Sequence, residues 1–236
     1  MQPATPVFIV TSTRPRVGKT LVARALIECL CFQRRPVAAF DVNPDEFSLL
    51  DRLPAYTAAA SIRDTNGEMA LFDQLIAPDQ VAKVVDLGHT LFDQFFAVLR
   101  QIGLTGEARR RAIYPLVLFV ADADDRARQG YAMLRDRFPE LPLAPVFNEN
   151  IPRLADWREK FPLTFHGVGS LTIPALTPVL RSVIDRPGFS FVGYAMKTTD
   201  PTTELYGWMR KVFVPLREME SRLLLDELLL ELKRTG

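Results

Sequence analysis

The sequence predicts an α/β fold in three layers, a mostly parallel sheet flanked by helices. Two observations carry that prediction. Short, almost uninterrupted apolar strands alternate with amphipathic helical segments, as they do when a parallel sheet is covered on both faces. The first strand also passes into the first helix through a polar loop, which makes a strand–loop–helix unit at the head of the sheet. The 236 residues show no internal repeat and no low-complexity stretch, so 1–236 reads as one domain.

Taken in order, the first strand is an apolar run rich in β-branched residues, Phe8-Ile9-Val10-Thr11. A helix over 18–33 follows on Leu21, Val22, Ala23 and Leu26, and Arg34-Arg35-Pro36 ends it. Residues 37–41 form a second buried strand and 46–53 a short helix. Residues 56–62 have the mixed character of an edge strand, and 68–76 are helical up to the stop Ala77-Pro78-Asp79. Strand 81–88 precedes a Phe-rich helix, 91–102. A polar connector, 103–111, leads to the strongest strand signal, 114–121. Helix follows over 124–138, capped by Asp122 or Asp124. Strand 143–147 ends at Asn148; 151–160 reads as helix, 163–166 as strand and 177–184 as helix. An irregular linker, 185–201, leads to a long C-terminal helix, 203–234, with Pro215 as a candidate break.

The chemistry starts in the first loop. Gly18-Lys19-Thr20 at the junction of strand and helix closes a phosphate loop, or P-loop. The N–H groups of such a loop and the positive end of its helix converge on one point and hold a polyphosphate. Gly18 lets the backbone approach closely, Lys19 would reach the β- and γ-phosphates, and Thr20 would place its hydroxyl on Mg²⁺. Thr13 stands where the full pattern has its first glycine. Thr13, Arg14, Pro15, Arg16, Val17, Gly18, Lys19, Thr20 and Leu21 are the expected cradle.

Ligands of open α/β sheets bind beyond the carboxyl ends of the strands, and three polar residues emerge there. Asp86 closes the apolar run Val84-Val85, the placement of a Walker B carboxylate that holds Mg²⁺ through water. Asp41 closes the strand after the first helix, as a second candidate on the metal side, and Asn148 is a candidate for a base edge. Each also has a plainer role open to it, capping the helix that follows its strand.

Composition narrows the partners. An apolar fraction of 48% with 24% charged residues is that of a globular domain. A net charge of +1 provides no long-range attraction to nucleic acid or anionic lipid, so such a contact needs a local patch. The first residues lack the charged and apolar regions of a signal peptide, and no apolar run matches a bilayer. Cys29 and Cys31, two apart in one helix, read as reduced packing residues, and two cysteines with two distant histidines are too few for a metal site. A cytoplasmic location is the expectation.

With these motifs in place, the chain resembles the class of P-loop proteins that contains the ParA/MinD partition and positioning ATPases, the nitrogenase iron protein and dethiobiotin synthetase. The resemblance runs from Val7 to about residue 184. The turn Asp41-Val42-Asn43-Pro44 is similar to the Asp-x-Asp-Pro turn of ParA-type proteins, and Asp86-Leu87-Gly88 occupies the place of their second switch. The stretch 166–174 resembles the late loop whose proline borders adenine, which makes Ile173 and Pro174 the base-side wall. The resemblance implies ATP with Mg²⁺ and a homodimer that sandwiches ATP. Lys19, Arg14 and Asp41 would be its catalytic residues, Thr20, Asp86 and Asp41 its metal side, and Asn148 and Pro174 its base side.

The departures shape that expectation. ParA and MinD carry a signature lysine in Lys-Gly-Gly-x-Gly-Lys-Thr that reaches the partner's nucleotide. Arg14 stands at that position, a candidate finger in trans with a different geometry, and Pro15 and Arg16 replace the two glycines. Thr13 followed by Val17-Gly18-Lys19-Thr20 is closer to the loop of dethiobiotin synthetase. Asn43 replaces the second Asp of the turn, which in partition ATPases helps order the attacking water. A neutral amide polarises water less than a carboxylate, so hydrolysis should be slow or absent.

Three further features are weighed. Arg109, Arg110 and Arg111 form a compact basic cluster suited to weak, non-specific DNA binding, or simply a solvated connector. The C-terminal helix carries two apolar seams: Leu216, Met219, Leu223 and Leu230, then Leu224, Leu225, Leu228, Leu229 and Leu232. An acidic ridge of Glu220, Glu227 and Glu231 lies between them. One seam suits the sheet and the other a protein partner, whereas membrane attachment is disfavoured by the acidic charge. His89 and His166 lie near the site without an assigned role. The expected function is a nucleotide-dependent switch that positions a cargo; the alternatives are an ATP-dependent ligase resembling dethiobiotin synthetase, or a P-loop scaffold without turnover.

Overall fold

The computed structural model describes residues 4–43, 48–152, 156–164, 168–198 and 200–235, with side chains as far as 225. Seven strands form one all-parallel sheet: β1 (Thr5–Thr11), β2 (Val37–Val42), β3 (Thr57–Ala59), β4 (Ala82–Leu87), β5 (Ile113–Val120), β6 (Leu143–Asn148) and β7 (Leu171–Ile173). Their order is β3-β2-β4-β1-β5-β6-β7. The helices are α1 (Lys19–Phe32), α2 (Ser48–Arg52), α3 (Thr65–Leu75), α4 (Phe92–Gln101), α5 (Leu104–Arg110), α6 (Asp125–Arg137), α7 (Trp157–Lys160), α8 (Pro178–Ile184), α9 (Phe191–Lys197) and α10 (Glu204–Thr235).

Alternation along the strands builds the two flanking layers. Phe8 and Val10 of β1 join one core with α1, α8, α9 and α10, whereas Val7 and Ile9 face α3, α4, α5 and α6. The second layer is strongly aromatic, with Phe95 and Phe96 meeting edge-on at 5.4 Å and Phe119 and Tyr131 at 5.5 Å. The chain leaves β1 toward β2 on one side and later adds β5 on the other, so the sheet's topological switch lies at β1. At its carboxyl rim, register aligns Val10 with Asp86 and Asp86 with Asp41. β4 therefore separates β2 from the phosphate loop, and Asp86 is the carboxylate next to it.

Several expected boundaries change. The connector 103–111 contains α5, because Leu104 and Ala108, four apart, are buried against α4 and β5; Gly103 and Gly106 had disguised the turn. The linker 185–201 contains α9, capped by Ser190, whose Oγ accepts from the Gly193 N–H at 3.1 Å. Helix 151–160 shrinks to α7, with 153–155 outside the described residues. Leu163 and Thr164 are coil, not strand, and 165–167, with His166, lie outside the description. The helix α10 runs through Pro215 without a break. An internal proline costs about 3 kcal/mol, which burial of Val212, Leu216, Met219 and Leu223 offsets. Glu220 lies in no exposed ridge: it is buried and paired with Arg35.

Candidate functional site

The loop between β1 and α1 is held by a small set of contacts. Gly18 has a left-handed φ of 97°, and a Cβ there would lie 2.3 Å from the Asn148 amide nitrogen, so two constraints select glycine. Asn148 Nδ2 donates to the Val17 carbonyl at 2.8 Å. Lys19 is 7% exposed and its Nζ donates to the Arg14 carbonyl at 2.8 Å. Burial lowers its pKa, against the pull of the nearby Asp86 charge. The ammonium thus faces into the loop, with Pro15 and Arg16 exposed at the rim. Beside it opens a cavity of about 470 Å³ lined by loop residues and by Asn43, Ser48, Gly88, His89 and Thr90.

Under the loop, Thr20 Oγ1 donates to Asp86 Oδ2 at 2.7 Å and lies 3.2 Å from Ser48 Oγ. Asp86 is fully buried, and its other oxygen, Oδ1, has no hydrogen-bond partner. Burial pushes this carboxyl up to about 7; the Thr20 hydrogen bond pulls it down, the Asp41 charge pushes it up, and Lys19 and the nearby Asn43 amide pull it down. A hydroxyl and a carboxylate with a free, desolvated oxygen are the donor types that bind Mg²⁺ alongside a polyphosphate, so the residues present fit the ion.

Asp41 is placed differently from its expected role. Its Oδ2 accepts from the Leu49 and Leu50 N–H groups at 2.9 and 3.1 Å, which holds the start of α2. Its Oδ1 accepts from Asn43 Nδ2 at 2.7 Å, and the same nitrogen reaches the Asp86 carbonyl at 3.2 Å. Asp41 thus positions α2 and Asn43; like Asp86 it is fully buried beneath the cavity wall, and both of its oxygens are taken. Asn148 is likewise occupied: its Oδ1 accepts from Asn150 N and Nδ2 at 3.1 and 2.7 Å. The Pro174 carbonyl takes the Trp208 indole N–H at 2.9 Å, and Leu176, not Pro174, lines the neighbouring hollow. That hollow, about 220 Å³, also holds Leu21, Asn150 and Arg181. Ser48, Asn150 and Arg181 were not singled out in the sequence; the Asn-x-Asn spacing at the end of β6 was the available signal for Asn150.

Thr13 has a structural partner that the sequence did not reveal. A Cβ added to Gly130 of α6 would meet the Thr13 methyl at 2.4 Å, so the missing side chain at 130 makes room for Thr13 where the full loop pattern has glycine. Gly130→Ala is expected to cost about 1–3 kcal/mol through this overlap. Thr13→Gly in the same chain should recover most of it, measured as non-additivity in urea unfolding. Arg14 pairs with Asp124 at 3.3 Å, both about one-third exposed.

The remaining candidates are tied up or neutral. Arg109 pairs with Glu140, and Arg110 and Arg111 with Glu107. Leu216, Met219 and Leu223 are buried and Leu225 is exposed, while the seam beyond 225 and Glu227 and Glu231 lie outside the described side chains. Cys29 and Cys31 are free thiols, and burial raises Cys29 to about 11. Among the described residues no helix is long and apolar enough to cross a membrane.

An all-parallel seven-stranded sheet, flanked by helices and carrying a phosphate loop after β1, is the ParA-like P-loop NTPase fold. Forty-five solved chains match it. Among them is the structure of pnob8 ParA, similar at a TM-score of 0.56 and 13% identity over 94% of this chain and 99% of that one. No protein-family model matches the chain, and no curated protein sequence does.

Proposed function

We propose that this chain is a ParA/MinD-type ATP-binding switch, dimerising with nucleotide and hydrolysing ATP slowly, that positions a cargo such as a plasmid, a chromosome or a protein complex. The observation that carries the reading is Asp86: one oxygen 2.7 Å from Thr20 Oγ1, the other buried without a partner, beneath a loop whose lysine points inward. Thr20 and Asp86 would hold Mg²⁺, which when bound neutralises charge on the β- and γ-phosphate oxygens. Lys19 would exchange the Arg14 carbonyl for a phosphate oxygen. Slow hydrolysis follows from Asn43, whose amide is engaged by Asp41 and the Asp86 carbonyl.

The dimer rests on the ParA-like fold and on Arg14. The Arg14–Asp124 pair is about one-third exposed on each side and worth less than about 1 kcal/mol, so it is cheaply exchanged for a partner's phosphate. DNA contact through Arg109, Arg110 and Arg111 is the weaker part of the proposal, because each guanidinium already faces a carboxylate. The ligase alternative would need a second lysine near the γ-phosphate, and it loses support: Lys83, the one lysine besides Lys19 before residue 160, is buried at the amino end of β4, paired with Asp79, away from the carboxyl rim.

The test is size-exclusion chromatography with light scattering, in MgATP, MgADP and EDTA. The reading expects a dimer in MgATP alone, weakened by Arg14→Ala, and a turnover well below one per second. A dimer indifferent to nucleotide, or one that Arg14→Ala leaves unchanged, contradicts it.

A further inference from the structure

Resting on the nucleotide reading above, we infer that Arg16 is a phosphate-binding residue in cis, closing over the triphosphate held by its own loop. Its backbone has φ 57°, in the left-handed region that favours glycine. A non-glycine residue held there is strained, and such strain collects where it is part of a site's design. A bulky cation at so strained a position needs a reason in what its side chain does.

Its placement answers the question. Arg16 lines both the 470 Å³ cavity beside Lys19 and Thr20 and the 220 Å³ hollow toward Asn150 and Leu176. It stands between the end where the γ-phosphate would sit and the end where the base would sit, which is where a phosphate chain passes. The other cations on these walls are engaged. Lys19 donates to the Arg14 carbonyl, Arg24 is buried with Glu28, Arg52 faces Asp185, and Arg181 donates to Asn150. Among the described lining residues, Arg16 is the exposed cation with neither a carboxylate nor a carbonyl to bind. Arg14, by contrast, is turned to Asp124. The planar guanidinium presents paired N–H donors that match phosphate oxygens.

Charge and strain predict opposite signs, so they can be separated. Arg16→Gly removes both, and is expected to raise the melting temperature of the nucleotide-free protein while weakening MgATP binding about 10- to 100-fold, the range for one charged hydrogen-bonding group. Arg16→Ala keeps the strain and should lose affinity to the same extent, whereas Arg16→Lys should keep much of it. Titration calorimetry with MgATP at fixed salt reads the affinities, and thermal unfolding reads the strain. Equal affinity in wild type and Arg16→Ala overturns the assignment and leaves the nucleotide reading standing. A loss confined to protein concentrations at which dimer forms places Arg16 on the partner's nucleotide and overturns the cis contact. If the wild type itself fails to bind MgATP, the nucleotide reading falls and takes this assignment with it.

Discussion

Asp86→Asn is expected to weaken MgATP binding at least about 100-fold and, at pH 8, to make the nucleotide-free protein more stable. The first effect follows from removing the charged ligand of the metal, where one desolvated ion-pair interaction is worth several kcal/mol. The second follows from linkage. Burial holds the Asp86 carboxyl at about 7 in the folded protein, against the ordinary aspartate value of 3.8. A folded pKa above the unfolded one favours folding when the group is protonated. Its contribution is fully present below about pH 4, declines as pH rises from about 4 to about 7, and is absent above that. The full penalty at pH 8 is up to about 4 kcal/mol, and an uncharged amide of the same shape avoids the larger part of it. Urea midpoints measured from pH 5 to 8 should therefore fall with pH for the wild type, in excess of the trend of the variant. The Mg²⁺ affinity of the wild type should rise over the same interval, because the proton and the metal compete for one carboxylate. A variant that loses stability at pH 8 and keeps its MgATP affinity would show that Asp86 is only a structural acceptor for Thr20.

Glu28→Ala should be the most destabilising single change away from the loop, at about 3–5 kcal/mol. Glu28 and Arg24 are both almost completely buried in α1, and their heads form a network with no loose ends. Arg24 Nε meets Glu28 Oε1 at 3.2 Å, and its two other nitrogens donate to the Ile184 and Phe189 carbonyls at 2.7 and 2.6 Å. Glu28 Oε2 accepts from Ser190 Oγ at 2.6 Å and from the Val192 N–H at 3.1 Å. The guanidinium also lies 5.4 Å from the Phe189 ring centre and 5.0 Å from that of Phe191. Removing the carboxylate leaves a buried guanidinium without its counter-charge and frees the start of α9. Glu28→Gln keeps the hydrogen-bonding shape and should cost less than half as much. Because α1 also carries Lys19 and Thr20, the loss should appear in MgATP affinity as well as in urea unfolding. A cost below about 1 kcal/mol would mean that this network behaves like a surface ion pair.

The contrast between these two sites explains what could be read in advance. The place of Asp86 at the carboxyl rim was legible because a carboxylate ending an apolar strand has few places to go in a parallel sheet. The loop was legible because Gly18-Lys19-Thr20 sits at a strand–helix junction. Nothing in the sequence marks Arg24 and Glu28, four residues apart, as a buried pair, since periodicity cannot show that α9 will fold over them. The same blindness hid α9: seven residues around Phe191 carry too little periodicity to register, and their stability comes from Glu28, over 160 positions away. Asp41 was read from its place at a strand end, but strand order decides what it meets. With β4 interposed, its oxygens turn to the start of α2. Thr13 looked like a defect in the loop, and becomes intelligible only with Gly130 beside it.

In the proposed switch the loop, Thr20 and Asp86 together make a seat for a triphosphate and its Mg²⁺. Titration calorimetry of the wild-type protein with ATP at pH 8, run once with Mg²⁺ and once with EDTA, tests it most directly. Saturable binding near one ATP per chain is expected with Mg²⁺, and at least tenfold weaker binding without it. Absence of heat and of any thermal stabilisation at millimolar MgATP would contradict it, as would equal affinity in the two titrations.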